Sequence, residues 1–152
     1  MPRPPIDVRL LEESYERALD RDSDFPRLFY DILFHEHPSV EKLFRRNSMD
    51  AQRKMFGQTL VAIVDHLDDE PWLKATLEPL GHGHVAYGVT PEMYDVMADA
   101  LIRALSEVNG ADWRPEHHTA WAAAFDYIVA LMRAGEPGGG ADPAKQGGGG
   151  IT

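Results

Sequence analysis

Apolar residues recur at intervals of three and four along most of this chain, and two of the stripes share one spacing. Phe56, Leu60, Ile63 and Leu67 step by four, three and four, and Leu73, Leu77, Leu80 and His84 repeat the pattern. Such intervals gather side chains on one face of a helix, whereas a half-buried strand needs alternation. The spacing therefore predicts an all-α fold. It also sets an imidazole, His84, at the next slot of a core stripe.

Further stripes fill in the rest. Val8, Leu11, Tyr15 and Ala18 form one; Phe25, Leu28, Phe29, Ile32 and Leu33 form another, broad enough for a helix buried on much of its circumference. His37-Pro38-Ser39 ends that helix and starts a short one through Val40, Leu43 and Phe44. Ser48 or Asp50 suits the cap of the next, which is expected to end near Asp68. Pro79 is expected to kink or split the segment leading to His84, and Gly88 breaks the chain after it. Thr90-Pro91-Glu92 opens a helix carrying Tyr94, Met97, Leu101, Leu105 and Val108. Asn109-Gly110 stops it, Pro115-Glu116 restarts the chain, and Trp121, Phe125, Ile128 and Met132 mark a last helix. The total is roughly seven helices and no sheet.

A chain of 152 residues with 43 % hydrophobic residues can build one substantial core, assigned here to residues 1–134. From Gly135 to Thr152 eight of eighteen residues are glycine, too little apolar surface to offset ordering, so a flexible tail is expected there. Gly147-Gly148-Gly149-Gly150 fits native low complexity or an added linker equally. A net charge of −10 disfavours nucleic acid as a partner. The absence of cysteine excludes disulfides, thiolate metal sites and covalent c-type haem attachment. No apolar run is long enough for a membrane helix and the first residues lack a signal-peptide core, so a cytoplasmic location without membrane contact is expected.

Seven histidines need sorting. His35, His37, His66, His117 and His118 lie in polar stretches, and no HExxH pair sets two imidazoles one turn apart for zinc. They are read as ordinary side chains. His82 sits about 200° round the helix from Leu80 and should face outward. His84 must point inward, where each ring nitrogen needs a partner. Periodicity alone leaves two readings of it, a hydrogen-bonded core histidine, which it favours, and a metal ligand.

The surroundings of His84 raise the second reading. Leu80-Gly81-His82-Gly83-His84-Val85-Ala86-Tyr87-Gly88-Val89-Thr90-Pro91-Glu92-Met93-Tyr94 resembles the proximal segment of bacterial single-domain globins and of the globin domain of flavohaemoglobins, LGxxHxxYGVxPExY. Upstream, Phe29-Tyr30-Asp31-Ile32-Leu33-Phe34 and Pro38 to Phe44 resemble that family's distal helix and haem-packing turn. Downstream, Ala120-Trp121 and Phe125 resemble its last helix. The resemblance runs from about Leu10 to Ala134 in the right order. One departure is His82-Gly83, where relatives often carry basic residues; Arg45, Arg53 and Lys54 are then the candidates to meet haem propionates.

What the resemblance implies is a globin fold holding haem b, with His84 as proximal iron ligand and a diatomic ligand (O2, NO or CO) opposite. Tyr30 would project over that open position as a phenolic donor. Gln52 would be the second distal donor, although the neighbouring Arg53-Lys54 also permits a register with Ala51 distal and Met55, in place of Phe56, beneath. Phe44, Phe56 and Val89 would pack against the cofactor, and Tyr94 and Glu136 would hydrogen-bond toward the proximal imidazole. The expected function is oxygen binding, with nitric oxide dioxygenation if an external reductase restores the ferrous iron, since no GxGxxG marks a flavin or nicotinamide site. The alternatives are a peroxidase-like or nitrite-reducing haem enzyme and a haem-free globin-like module that senses or binds a partner. Oligomeric state and resting iron coordination are left open.

Overall fold

The computed structural model describes residues 6–44, 48–86 and 88–134, without the side chains of residues 85 and 86. Glu136, Arg45 and the expected tail lie outside the described residues. Six α-helices follow in order: α1 (Val8–Arg21), α2 (Phe25–Glu36), α3 (Met49–Asp65), α4 (Glu70–Ala86), α5 (Pro91–Asn109) and α6 (Pro115–Ala134). A seven-residue 3-10 helix, Pro38–Phe44, lies between α2 and α3, and a single 3-10 turn, Gly110–Asp112, precedes α6. No strand occurs among the described residues.

Local chemistry explains the starts. Asp7 caps α1 by accepting from the Leu10 amide at 3.2 Å, and Ser48 caps α3 by accepting from the Ala51 amide at 3.1 Å. Asp69 does the same for α4 through the Trp72 amide at 3.2 Å. Proline stands in the first turns of α2 and α5, where its missing N–H costs nothing. Gly110, at φ +56°, ends α5 in a conformation that disfavours other residues.

Two expectations need correction. α3 ends at Asp65, three residues before the expected Asp68, because the His66 amide closes a tight turn on the Ile63 carbonyl at 3.1 Å. The His66 ring then bonds the Ala62 carbonyl at 2.7 Å, satisfying an orphan of the last turn. Of the kink or split expected at Pro79, secondly, the split does not occur: α4 runs without interruption from Glu70 to Ala86. Pro79 and Ala75 are both exposed, so the carbonyl that loses its helical donor can turn to water.

The apolar stripes converge as their spacing requires. α4 packs along α6, α2 against α5, α1 against α5 and α6, and α2 also against α3 and the 3-10 helix. Leu11, Ala18, Phe25, Leu33, Leu73, Leu77, Ala104 and Leu105 have no exposed surface at all. Truncating one such leucine to alanine typically costs about 2–5 kcal/mol, through lost transfer energy and the cavity left behind. α4 and α6 approach so closely that Gly81 tolerates no side chain: a Cβ there would overlap the Met132 carbonyl.

Candidate functional site

Two groups of side chains carry the chemistry. The first is aromatic and gathers on α2. Tyr30, only 2 % exposed, meets Phe44 of the 3-10 helix edge-on at 5.4 Å and Phe56 of α3 edge-on at 5.6 Å. Phe34 tilts against the same phenol at 5.6 Å, and Phe29 stacks on Phe56 at 4.6 Å. Aromatic pairs at such separations add attraction beyond the area they bury.

Into this apolar cluster α3 sends one polar group. The Gln52 side-chain Nε2 donates to the Tyr30 hydroxyl oxygen at 3.1 Å. Burial pushes the Tyr30 phenol up to about 12, which outweighs the opposing effect of the Gln52 hydrogen bond. The phenol is therefore neutral at physiological pH. Because its oxygen accepts from Gln52, its own O–H remains able to donate to a third group.

The geometry separates the two possible registers of α3. Gln52 and Phe56, four residues apart, reach Tyr30, whereas Ala51 is exposed and Met55 is 53 % exposed. Arg53 and Lys54 turn to another side of the same helix. There they line a groove of about 610 Å³ with Tyr15, Leu19 and Pro26, and Arg53 also pairs with Asp50. That groove is lined by neither Tyr30 nor His84.

The second group centres on His84, in the last turn of α4 and half-buried. Its ring Nδ1 lies 2.7 Å from the Leu80 carbonyl, which can only accept, so Nδ1 is the donor and Nε2 is the nitrogen left for another partner. Tyr94, buried in the first turn of α5, stacks on the imidazole with ring centres 6.2 Å apart and planes at 26°. Gly88, at φ +92°, lets the chain reverse, and the Val89 amide closes the reversal on the His84 carbonyl at 3.0 Å. Val89 itself is half-buried against the core. The Leu80 carbonyl was not singled out from sequence, although its place four residues before His84 is where a helical histidine can find an acceptor.

His117 departs from its reading as an ordinary residue of a polar stretch. It is 1 % exposed, its Nδ1 accepts from the Arg114 amide at 3.0 Å, and its Nε2 lies 3.7 Å from a Glu13 carboxylate oxygen. It precedes Trp121 by four residues, on the buried face of α6. Nearby, Trp121 Nε1 donates to the Ser14 hydroxyl at 2.8 Å, and the Asn109 amide donates to the Ser14 and Leu105 carbonyls at 3.1 and 2.8 Å. Arg17 completes this network by donating to the Asn109 side chain at 3.0 Å. Ser14, Asn109 and Trp121 are thus paired, as their burial demands, whereas His117 Nε2 has the Glu13 carboxylate near it but no hydrogen-bond partner among the described residues.

Among the described residues no set of three or more His, Asp or Glu side chains could hold a bare metal ion. A lone imidazole with its Nε2 lone pair free, in a fold lined by aromatic rings, suits instead a metal that arrives with a macrocycle supplying most of its donors. A helical fold with such a lone imidazole is compatible with a haem-binding protein.

The globin family model matches residues 27–132, and the chain belongs to the globin family. Membership implies a haem cofactor and haem-based gas binding. A flavohaemoprotein of Deinococcus radiodurans is 30 % identical over 125 residues, covering 74 % of this chain and 31 % of that protein. One of Bordetella pertussis is 29 % identical over 129 residues, covering 83 % and 32 % respectively. The chain thus spans about a third of the length of these relatives. In structure it is similar to a bacterial globin from Campylobacter jejuni, with TM-score 0.71 over 85 % of this chain and 93 % of that one at 18 % identity.

Proposed function

We propose that this globin takes haem b on the Nε2 of His84 and binds oxygen or another diatomic gas on the opposite face, where Tyr30 and Gln52 stand. Haem supplies an iron with one position open to a small ligand. The protein supplies the rest. His84, fixed by the Leu80 carbonyl, presents a neutral imidazole of one orientation. Phe44, Phe56 and Val89 offer apolar surface to the cofactor, and Tyr94 backs the imidazole. The absence of cysteine excludes c-type thioether attachment and is compatible with a noncovalent group such as haem b.

The observation that carries this reading is the Gln52-to-Tyr30 hydrogen bond. It holds a neutral phenol within an aromatic cluster with its proton still available. Such a donor stabilises a ligand that gains negative charge on binding, and it slows release. By the same reading nitric oxide is oxygenated when a separate reductase supplies electrons. The likeness to flavohaemoproteins supports that activity. The location expected is cytoplasmic; no helix among the described residues is long and apolar enough to cross a membrane.

Visible absorption spectra test the proposal. The purified protein, reconstituted with haem and compared with His84→Ala, should show a sharp Soret band that moves when carbon monoxide is added to the dithionite-reduced form. The substitution should weaken or alter that band. A wild-type protein that takes up no stoichiometric haem would refute the proposal.

A further inference from the structure

The peptide unit joining Leu80 to Gly81 has two neighbours. On one side its carbonyl oxygen accepts from His84 Nδ1 at 2.7 Å. On the other, the Met132 carbonyl of α6 stands where a Cβ of residue 81 would be. Met132 belongs to α6, so the contact is between the backbones of two helices. His84 follows Gly81 by three residues, about 4.5 Å along the axis, so a displacement of the backbone at Gly81 is carried into the imidazole. Gly83, two residues on, has nothing within 4 Å of the Cβ it lacks. The crowding is therefore specific to position 81 rather than general to this glycine-rich turn.

From this juxtaposition we propose that Gly81 is a positioning residue for His84. By admitting the Met132 carbonyl in place of a side chain, it sets where the Leu80 carbonyl stands, and so fixes both the height of the imidazole and the strength of its Nδ1 hydrogen bond. That bond makes the opposite nitrogen more basic toward a metal. A methyl group at residue 81 must push α4 off α6. The contact is with backbone, so no side-chain rotation in α6 relieves it. The peptide then swings away from its present place, the bond to His84 weakens, and Nε2 becomes a poorer donor.

The inference rests on the proposal that His84 binds haem iron, and its test reads the two separately. Resonance Raman spectra of the reduced, ligand-free haem protein report the iron–imidazole stretch. Gly81→Ala should move that band to lower frequency with helical circular dichroism retained, and Gly83→Ala should leave it in place. An unmoved band in folded Gly81→Ala, or an equal shift in Gly83→Ala, overturns the inference. Should Gly81→Ala fail to fold, His84→Gly with free imidazole decides: a frequency different from that of the wild type supports control by α4, and an identical one overturns it. A wild type that binds haem without any iron–imidazole band refutes the ligand assignment itself, whatever the glycines do.

Discussion

The amide nitrogen of Gln52 lies 3.1 Å from the phenolic oxygen of Tyr30, joining α3 to α2 inside an aromatic cluster. The bond fixes the direction of a proton as well as the distance between two helices. If the proton serves the bound gas, Tyr30→Phe should speed oxygen release in stopped-flow experiments. One neutral hydrogen bond contributes about 0.5–1.5 kcal/mol net, which at its upper end is roughly a tenfold change in rate. Gln52→Leu should speed release by less, because Tyr30 keeps its hydroxyl. Equal dissociation rates in Tyr30→Phe and wild type would exclude the phenol as a donor.

Alkaline stability offers a second test. Burial pushes both Tyr15 and Tyr30 up to about 12 from the ordinary 10. Between these values the unfolded chain has lost both phenolic protons while the folded one retains them, so stability must fall as pH rises from about 10 to 12. Below that window the contribution is fully present. Each phenol accounts for at most about 3 kcal/mol. Urea unfolding across the window should show the loss in the wild type and a shallower one in Tyr15→Phe; equal slopes would contradict the burial argument.

The start of α3 positions Gln52 four residues after its cap, Ser48. Ser48→Ala should cost about 1 kcal/mol in thermal or urea unfolding. It should also raise hydrogen exchange in the first turn of α3. Unchanged exchange there would show that the turn is held by packing rather than by the cap.

Asn109 makes three hydrogen bonds in the interior, to Ser14, Leu105 and Arg17. Asn109→Ala leaves the Ser14 carbonyl and the Arg17 guanidinium without that partner. The expected loss is about 1–3 kcal/mol, and larger than that of Asn109→Asp, which still accepts from Arg17. Equilibrium unfolding of the two variants decides it.

The sequence made the helices visible because burial on one side of a helix writes itself as threes and fours. The pairs that begin and end helices, Thr90-Pro91 and Asn109-Gly110, were visible for the same local reason. Tyr30 and Gln52 could be named from a family pattern, but their mutual bond spans 22 positions and no local rule reaches that far. Pro79 did not split α4, because a proline marks a lost hydrogen bond without saying whether water can replace it. His117 misled because its polar neighbours hid its place on the Trp121 stripe, where a period-four count would have set it inside. Glycine at residue 81 could be read as a break or a spacer; only the approach of α6 shows why no other residue fits.

The Trp121, Ser14 and Asn109 network has a mechanical consequence. Where α1, α5 and α6 meet, directional bonds must break before the helices can slide. Where α2, α3 and the 3-10 helix meet, stacked rings do most of the holding, with the Gln52 bond alone added among the groups described there. Among the described groups, then, sliding along the first seam must break more directional hydrogen bonds than sliding along the second. On the proposed reading the gas site borders the second seam, at Tyr30, where fewer directional bonds oppose a brief opening.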